Sequence, residues 1–523
     1  MSLSSVIVNI SEKAATVVNL ITAMLPKPYV DVRDYSSFAA AVGAIGSTKK
    51  ALLVPNEQGV SANITVPTNI GLKIPQGGSL AIATGVTVTI NGDVDAGLYQ
   101  IFSWVGTGTV VFGPGSVKEV HIQWWGAKPD TDDTAAIQAA YDSVGDNGGI
   151  VRVAPGTWLI TDTLHVNKDG IITRGSSQYK SVIKCATTGV DMFDFGPSGE
   201  IRVFLGFEDI MLKSESNAGH IFAPSGGTAQ AHFTNVSCRQ DNPDKSIWDA
   251  INKLYIDNVW SNCELQHTPY VPTVSGFKLV SSGGDLNSNT WKRLRCTYSG
   301  EYFFHVESTH PSAYAVNNIF DDINFEVCNG GCVKLLSALN PTIKNCMGYD
   351  FTTTTRDLFV VGASPTGGLA SRGPVFRQVG RATGVLGGGL VDIQLAPIAG
   401  VNHITLDSLI APIAVGFKVN LGGSTQWVMM SGTNYGVTFT NLGAATLSQS
   451  PNGGWLFGAD VDIYREAANV LALAAGDSFH LVDGNIKIHL QTYADNTAAK
   501  NGGLVAGQLY CLNSNPCYVC VVY

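Results

Sequence analysis

The stretch that decides the fold runs from Gly126 to Ala140 as GAKPDTDDTAAIQAA and resumes from Gly148 to Ile160 as GGIVRVAPGTWLI. Its first part predicts a polar loop, an Asp or Thr N-cap and an alanine-rich helix that ends before Gly145. The Gly-Gly and Pro-Gly pairs of its second part predict turns into two short strands. A capped helix that leads into stacked strands can cover the open end of a parallel β-helix, where strand edges would otherwise be unpaired.

A six-residue pattern recurs downstream, with an apolar residue, two polar residues, another apolar residue, and then one outward and one inward side chain. It begins at positions 207, 233, 256, 291, 320 and 343, so the spacings are 26, 23, 35, 29 and 23. Such repeats are typical of a solenoid, in which each coil buries its apolar face against its neighbours. Most residues at the third position tolerate a turn: Asp209, Asn235, Asn258, Arg293, Asp322 and Asn345. We therefore predict an all-β chain that forms a parallel β-helix with a short capping helix.

The composition agrees with a turn-rich β protein, since 58 residues are glycine and 14% of the 523 residues are charged. The net charge of −9, without a basic patch, argues against nucleic acid as a partner. Most cysteines stand singly among apolar residues and are predicted to be buried. Cys511, Cys517 and Cys520 have no neighbouring ligands that would complete a zinc site. We predict no metal and no cofactor.

Four regions are predicted along the chain. Residues 1–30 form an N-terminal helical assembly segment, whose polar interruptions argue against membrane insertion. Residues 31–120 form a β-rich region of short strands separated by glycine. Residues 121–400 form the parallel β-helix, and residues 401–523, where the repeat is lost, form a C-terminal β-rich module.

The segment from Gly126 to Ile160 resembles the opening of the pectate-lyase-like β-helix family, which includes phage tailspikes and polysaccharide-degrading enzymes. The ending YADNTAAKNGGLVAGQLYCLNSNPCYVCVVY, from Tyr493 to Tyr523, resembles a terminal motif of phage tail proteins. The resemblance implies that the all-β solenoid is a right-handed parallel β-helix. It further implies a tailspike that binds a bacterial surface polysaccharide, such as capsule, O-antigen or exopolysaccharide, and cleaves it. It also implies a homotrimer, contact with other phage tail proteins and a place in the virion tail.

Candidate catalytic residues concentrate around two neighbouring coils. Glycoside hydrolysis needs two carboxyl groups, roughly 5 to 5.5 Å apart for retention or 6.5 to 9.5 Å apart for inversion. Coils about 4.8 Å apart place outward acids within this range. In the strand from Glu301 to Glu307, alternation places Glu301, His305 and Glu307 outside. Glu307 with Glu326 is the leading pair, while the alternative for each acid is a solvated surface group.

Other outward residues are candidates for substrate binding. Arg239 and Arg295 can hold a sugar carboxylate or hydroxyl groups, or can simply balance the acids. Trp260 is predicted to point outward, and Trp248 lies in the preceding irregular segment. Either tryptophan can stack on a sugar ring or pack between chains. Glu301 completes the predicted binding set with Tyr349.

Two alternatives to hydrolysis remain open. His305 as a base with Arg295 and Tyr349 suits β-elimination from a uronic acid, which is the chemistry of a polysaccharide lyase. A receptor-binding tail fibre without catalysis is the third interpretation.

Overall fold

The structure, a computed structural model, describes residues 29–381 except 268–272, 284, 351–355, 367–368 and 370. Two short pieces, 11–14 and 16–17, precede this range, and separate strands and one helix follow it. The predicted N-terminal segment 1–30 therefore lies largely outside the described residues. The chain divides into two compact units, Met1–Ala459 and Asp460–Tyr523. No helix in the described part is long and apolar enough to cross a membrane.

The first part of unit one consists of short strands that form three parallel sheets. The sheet orders are β1-β2-β5-β8, β3-β6-β9 and β10-β7-β4. The strands are β1 (Tyr29–Asp31), β2 (Lys50–Leu53), β3 (Glu57–Val60), β4 (Ile64–Val66), β5 (Ile70–Ile74), β6 (Ser79–Ile82), β7 (Thr87–Ile90), β8 (Val94–Ala96), β9 (Phe102–Trp104) and β10 (Thr109–Phe112). Helix α1 (Phe38–Ile45) starts after Ser37, whose hydroxyl accepts from the Ala40 N–H at 3.1 Å. The sequence predicted strands here, and the structure shows that they stack in parallel.

The segment between this part and the main stack contains a 3-10 turn, Ile122–Trp125, and helix α2 (Thr134–Ser143). Helix α2 lies where the sequence predicted it. Asp132 accepts from the N–H of Thr134 at 3.1 Å, so an aspartate satisfies the first turn as expected. The capping role of α2 stays a prediction.

The main stack follows as a parallel β-solenoid. Its strands are β11 (Val120–His121), β12 (Gly149–Arg152), β13 (Gly156–Ile160), β14 (Leu164–His165), β15 (Ile171–Arg174), β16 (Ser181–Cys185), β17 (Phe193–Asp194), β18 (Ile201–Val203), β19 (Gly206–Ser214), β20 (Gly227–Ala229), β21 (His232–Gln240), β22 (Trp248–Ile251), β23 (Tyr255–Ile256), β24 (Val259–Ser261), β25 (Glu264–His267), β26 (Phe277–Ser281), β27 (Thr290–Thr297), β28 (Phe304–Ser308), β29 (Ala315–Val316), β30 (Ile319–Glu326), β31 (Val333–Leu336), β32 (Ala338–Leu339), β33 (Thr342–Tyr349), β34 (Phe359–Gly362), β35 (Val375–Arg377), β36 (Gly380–Arg381), β37 (Ile393–Ala396), β38 (His403–Asp407), β39 (Val415–Asn420), β40 (Trp427–Ser431) and β41 (Tyr435–Thr440).

Most strands of this stack belong to two sheets. The long sheet contains 16 strands, with the path β11-β12-β15-β19-β21-β24-β27-β30-β33-β35-β38-β40. The second sheet contains 8 strands in the order β22-β26-β28-β31-β34-β37-β39-β41. All pairings within both sheets are parallel and join successive coils, so the predicted parallel β-helix is confirmed.

The long strands bend at one residue with a left-handed backbone, which separates their two halves. The bending residues form a column, with φ between 52° and 57°: Asp209, Asn235, Asn262, Arg293, Asp322 and Asn345. Five of these six positions match the predicted turn column. The sixth prediction, Asn258, is wrong, because that coil bends at Asn262. Asn258 is instead buried in an amide ladder with Asn289 and Asn318.

Apolar residues at one position in successive coils stack inside the solenoid. The column contains Phe207, Phe233, Trp260, Trp291 and Phe320. The rings of Phe233 and Trp260 are stacked at 3.9 Å, and those of Trp291 and Phe320 at 4.6 Å. Continuous burial of this kind fixes the register of each coil on the next.

Parallel pairing continues past the predicted boundary at residue 401, since β38 and β40 extend the long sheet and β39 and β41 extend the second sheet. The predicted domain limits stay predictions. Unit two contains β42 (Ile463–Ala467), β43 (Val470–Leu473), β44 (Thr492–Tyr493), β45 (Leu509–Leu512), β46 (Val519–Val521) and helix α3 (Asn496–Asn501). Strands β42 and β43 form an antiparallel pair, as do β45 and β46.

Candidate functional site

The outward face of the long sheet carries a group of polar side chains that we call the groove cluster: Tyr179, Glu264, Arg295 and Glu326. Arg295 lies at its centre, because its Nε and Nη2 donate to the two oxygens of Glu326 at 3.0 and 2.7 Å. Its Nη1 donates to Glu264 at 3.5 Å. The Tyr179 hydroxyl donates to the other oxygen of Glu264. One guanidinium group therefore connects two carboxylates from different coils.

The parallel register explains this arrangement. Glu264 in β25 lies beside Arg295 in β27, and Glu326 in β30 lies one coil further and two residues along. Because side chains two residues apart on a strand point to the same face, all three project outward. Tyr179 approaches from the turn before β16.

The groove cluster is open to solvent. Arg295 is 56% exposed as a side chain, against 24% for Glu264 and 29% for Glu326. The hydrogen bond and the charge of Glu326 raise the pKa of Arg295, and the hydrogen bond to Glu264 raises the pKa of Tyr179. The surrounding groove is lined by polar groups such as Gln178, Asn262, Arg293 and Asn324. An open polar groove suits an extended hydrophilic polymer better than a small apolar ligand.

One guanidinium brings the carboxyl groups of Glu264 and Glu326 to the same place on the sheet. Glycoside hydrolysis requires two carboxyl groups on either side of one substrate bond. Both oxygens of Glu326 accept from Arg295. Glu264 has one longer contact to Arg295 and a second to the hydroxyl group of Tyr179, so it is the less tightly held of the two.

A second group of charged side chains, which we call the buried cluster, lies on the second sheet and contains Glu301, His305, Glu307 and Lys334. His305 Nδ1 lies 3.3 Å from Glu301 Oε2, and His305 Nε2 lies 2.9 Å from Glu307 Oε2. Lys334, beside His305 in the next coil, donates to Glu301 at 3.2 Å. Each ring nitrogen of His305 therefore lies within hydrogen-bonding distance of a carboxylate oxygen.

The buried cluster is covered. His305 and Glu307 are each 6% exposed, and Glu307 accepts from the hydroxyl groups of Ser364 and Thr366. Burial alone would raise the pKa of Glu307, but the hydrogen bonds from His305 and Ser364 and the charge of His305 outweigh it and lower the pKa. The pKa of Glu301 is lowered too, because His305, Lys334 and Ser275 outweigh its burial.

The structure separates residues that the sequence placed in one site. Glu307 belongs to β28 of the second sheet, whereas Glu326 belongs to β30 of the long sheet, so the two acids of the predicted pair lie on different sheets. His305 and Arg295 are divided in the same way, and His305 is held between carboxylates. The cause is the corner between β27 and β28, which turns the chain from one sheet to the other within a single coil.

The predicted outward position of Trp260 is also wrong. Trp260 and Trp248 are both 0% exposed and pack in the core, so neither can stack on a sugar. The sequence register had aligned Ile256 with Phe233 and Trp291, whereas the structure places Trp260 there. The physical reason is that the indole of Trp260 stacks on Phe233, while Trp248 packs on Phe222.

The remaining predicted residues lie on the long sheet. Arg239 projects from β21, is 46% exposed and pairs with Asp241 at 2.8 Å. Tyr349 ends β33 beside Glu326. Glu264 and Tyr179 were not selected from the sequence. Aligning Trp260 with Trp291 would have placed Glu264 beside Arg295, but no local signal connects Tyr179 to a residue 85 positions away.

Among the described residues, no group of three or more His, Cys, Asp or Glu side chains is arranged to hold a metal ion.

No model of a known protein family matches the chain, and no curated protein matches it in sequence. Solved structures do resemble it. ORF18 of Geobacillus virus E2 has 14% identity and a TM-score of 0.34, over 78% of this chain and 86% of that one. The A-module of the mannuronan C-5 epimerase AlgE4 from Azotobacter vinelandii has 15% identity and a TM-score of 0.40, over 63% and 100%. The tailspike protein of Acinetobacter phage vB_ApiP_P1 has 12% identity and a TM-score of 0.38, over 73% and 67%. Similarity at this level says nothing about substrate or reaction.

Proposed function

We propose that this protein is a phage tailspike that binds a bacterial surface polysaccharide along the outward face of the long sheet and hydrolyses it at Glu264 and Glu326. One observation carries the proposal: an exposed guanidinium, Arg295, holds two carboxylates together in an open polar groove. Residues 126–160 resemble the pectate-lyase-like β-helix family, which includes phage tailspikes, and residues 493–523 resemble a terminal motif of phage tail proteins. These resemblances extend the proposal to a homotrimer in the virion tail, attached to other phage tail proteins.

The geometry gives each residue a role in this proposal. Glu264 protonates the glycosidic oxygen of the leaving sugar, and Glu326 activates water or attacks the anomeric carbon. Arg295 fixes the distance between them, which matters because small misplacements of catalytic groups cost large factors in rate. Tyr179 orients Glu264 through its hydroxyl group.

Hydrolysis is favoured over β-elimination by the surroundings of His305, the candidate base. A lyase needs a free base near a cation that stabilises the enolate. His305 has both ring nitrogens occupied by carboxylates and lies on a different sheet from Arg295. The groove cluster, in contrast, has the paired acids that hydrolysis requires.

The experiment incubates the purified protein with capsular and lipopolysaccharide extracts from a panel of bacteria. Chain length and the ultraviolet absorbance of unsaturated sugar ends are followed together. We expect shortening without new absorbance, and a loss of roughly 10²- to 10⁴-fold in rate for Glu264→Gln and for Glu326→Gln. Glu57→Gln, at an exposed position in β3, is the control and should leave the rate unchanged.

Two outcomes would contradict the proposal. Shortening with new ultraviolet absorbance would identify a lyase. Binding of a polysaccharide that is never shortened would leave a receptor-binding protein without catalysis.

A further inference from the structure

Arg293 stands out in the groove because of its backbone. It is one of the residues that bend the long strands, with φ of 52°. The other five residues of the column from Asp209 to Asn345 are Asp or Asn, whose short side chains tolerate this conformation by bonding locally. Arginine gains no such compensation, so its presence here costs conformational energy. Gln378 shares the conformation in the next coil of the column, after Asn345, so the backbone alone does not mark a binding position and the surroundings of the side chain decide.

The side chain of Arg293 forms no stabilising polar contact with the described part of the chain. It is exposed, and no hydrogen bond, ion pair or ring contact joins its guanidinium to another described residue. Every other arginine whose side chain the structure describes has such a partner, as Arg295 and Arg239 have. A guanidinium group presents a rigid fork of donors that matches a carboxylate. Arg293 is therefore a cation in the groove whose own partner is not supplied by the described part of this chain.

The position of Arg293 relates it to the groove cluster. It lies two residues before Arg295 on β27 and lines the same groove as Glu264, Tyr179 and Asn324. Two residues of a strand span at most roughly 7 Å, so Arg293 and Arg295 extend into the groove from neighbouring positions of the same strand. Glu264 and Glu326 are held by Arg295. Asp322, the neighbour of Arg293 in the next coil, lines the same groove but forms no ion pair with Arg293 in the described part of the chain.

The same face carries further positive charge at successive coils. Lys184, Lys213 and Arg239 occupy one row of the long sheet, each one coil from the next. Glu215 and Asp241 pair with members of this row and leave one positive charge in excess. A polymer that lies along the stack and carries acidic groups at intervals would meet cations at more than one coil.

We infer that Arg293 is a specificity-determining residue that binds a carboxylate substituent of the polysaccharide next to the bond that is cleaved, so that the substrate contains an acidic sugar. The inference rests on the proposed function and narrows it to acidic glycans. Arg293 takes no part in proton transfer, since it touches neither carboxylate.

The test compares each polysaccharide that the wild-type protein shortens with the same polysaccharide after chemical reduction of its carboxyl groups to alcohols. We expect carboxyl reduction to weaken binding to the wild type roughly ten- to hundredfold. Arg293→Asn should weaken binding to the native polysaccharide by the same factor and should be insensitive to the reduction. Arg293→Lys should keep part of the preference, because it retains the charge and loses the fork.

A matched control separates the backbone effect from the charge. Gln378 lies in the same column, with φ of 52°, but outside the groove. Gln378→Asn and Arg293→Asn should both leave thermal unfolding unchanged or shifted upward, and only Arg293→Asn should alter binding. The inference is overturned if Arg293→Asn binds the native polysaccharide as the wild type does, or if it weakens binding to native and reduced polysaccharides equally. In both cases hydrolysis by the wild type still supports the proposed function, whereas the absence of binding to every polysaccharide removes both.

Discussion

The groove cluster and the buried cluster contain the same kinds of side chain and lie on adjacent sheets, yet they differ in what surrounds them. Each has two glutamates on either side of one basic side chain, Arg295 in the groove and His305 in the buried cluster, where Lys334 also pairs with Glu301. The side chain of Arg295 is 56% exposed, whereas that of His305 is 8% exposed. Exposed ion pairs contribute little to stability, but a buried pair that loses one partner leaves an uncompensated charge. Glutamates that contact a basic side chain are thus accessible to a ligand in the groove cluster and enclosed by the fold in the buried cluster.

The largest expected effect is on stability in the buried cluster. His305→Ala leaves Glu307 buried with only hydroxyl partners, while Glu301 keeps Lys334, so the free energy of unfolding should fall by about 3 kcal/mol. Chemical denaturation followed by circular dichroism measures this. The control is Arg295→Ala, which also removes one cation from two carboxylates, but at an exposed site, and should cost about 1 kcal/mol or less.

Equal losses for these two variants would contradict the comparison, since burial would then not distinguish the clusters. The polysaccharide assay adds a second readout. His305→Ala should retain the cleavage rate at temperatures where it stays folded, because His305 lies on a different sheet from Glu264 and Glu326.

A smaller effect is expected from acid. The pKa values of Glu301 and Glu307 are lowered in the folded protein, by hydrogen bonds and charges that outweigh burial. A lowered pKa stabilises the fold above the unfolded value of about 4.5, and this contribution is lost as the pH falls through the folded values. The denaturation midpoint should therefore decrease between pH 6 and pH 3.

Glu307→Gln tests the origin of that decrease. It should lower the midpoint at pH 6 and make the dependence on pH shallower, because one of the titrating groups is gone. Glu326→Gln, in the groove, is the matched control. Its denaturation midpoint should depend on pH as that of the wild type does. A slope that is unchanged in Glu307→Gln would show that other carboxyl groups cause the acid sensitivity.

The fold could be predicted because its signals are local and repeated. The helix from Thr134 to Ser143 and the column of turn residues are both readable from short patterns. The register of one coil could not be predicted, because the six-residue pattern of that coil can begin at either Ile256 or Trp260. The structure gives starts at 207, 233, 260, 291, 320 and 343, which are more even than those predicted. Aromatic stacking inside the solenoid, and not the polar turn residue, decides between the registers that begin at Ile256 and Trp260.

The candidate site was harder to predict because it depends on which sheet each strand joins. Alternation correctly places His305 and Glu307 opposite Phe304 and Val306, which are in the core. It does not reveal that Ser364, 57 residues away, covers them. Long-range cover of this kind follows from the path of the chain around the stack, for which the six-residue pattern carries no information.

The smallest expected effect belongs to Tyr179, at the edge of the groove cluster. Tyr179→Phe removes the hydroxyl group that donates to Glu264 and keeps the ring. Because Tyr179 is 56% exposed, the free energy of unfolding should change by less than about 0.5 kcal/mol. The rate of polysaccharide cleavage should fall roughly three- to tenfold, since an exposed hydrogen bond is worth about 1 kcal/mol and here it only orients Glu264. Initial rates on the polysaccharide that the wild type cleaves measure this. A loss of a hundredfold or more would mean that the tyrosine itself takes part in proton transfer, whereas an unchanged rate would mean that Glu264 needs no orientation, and would move the proton donor to another acid of the groove.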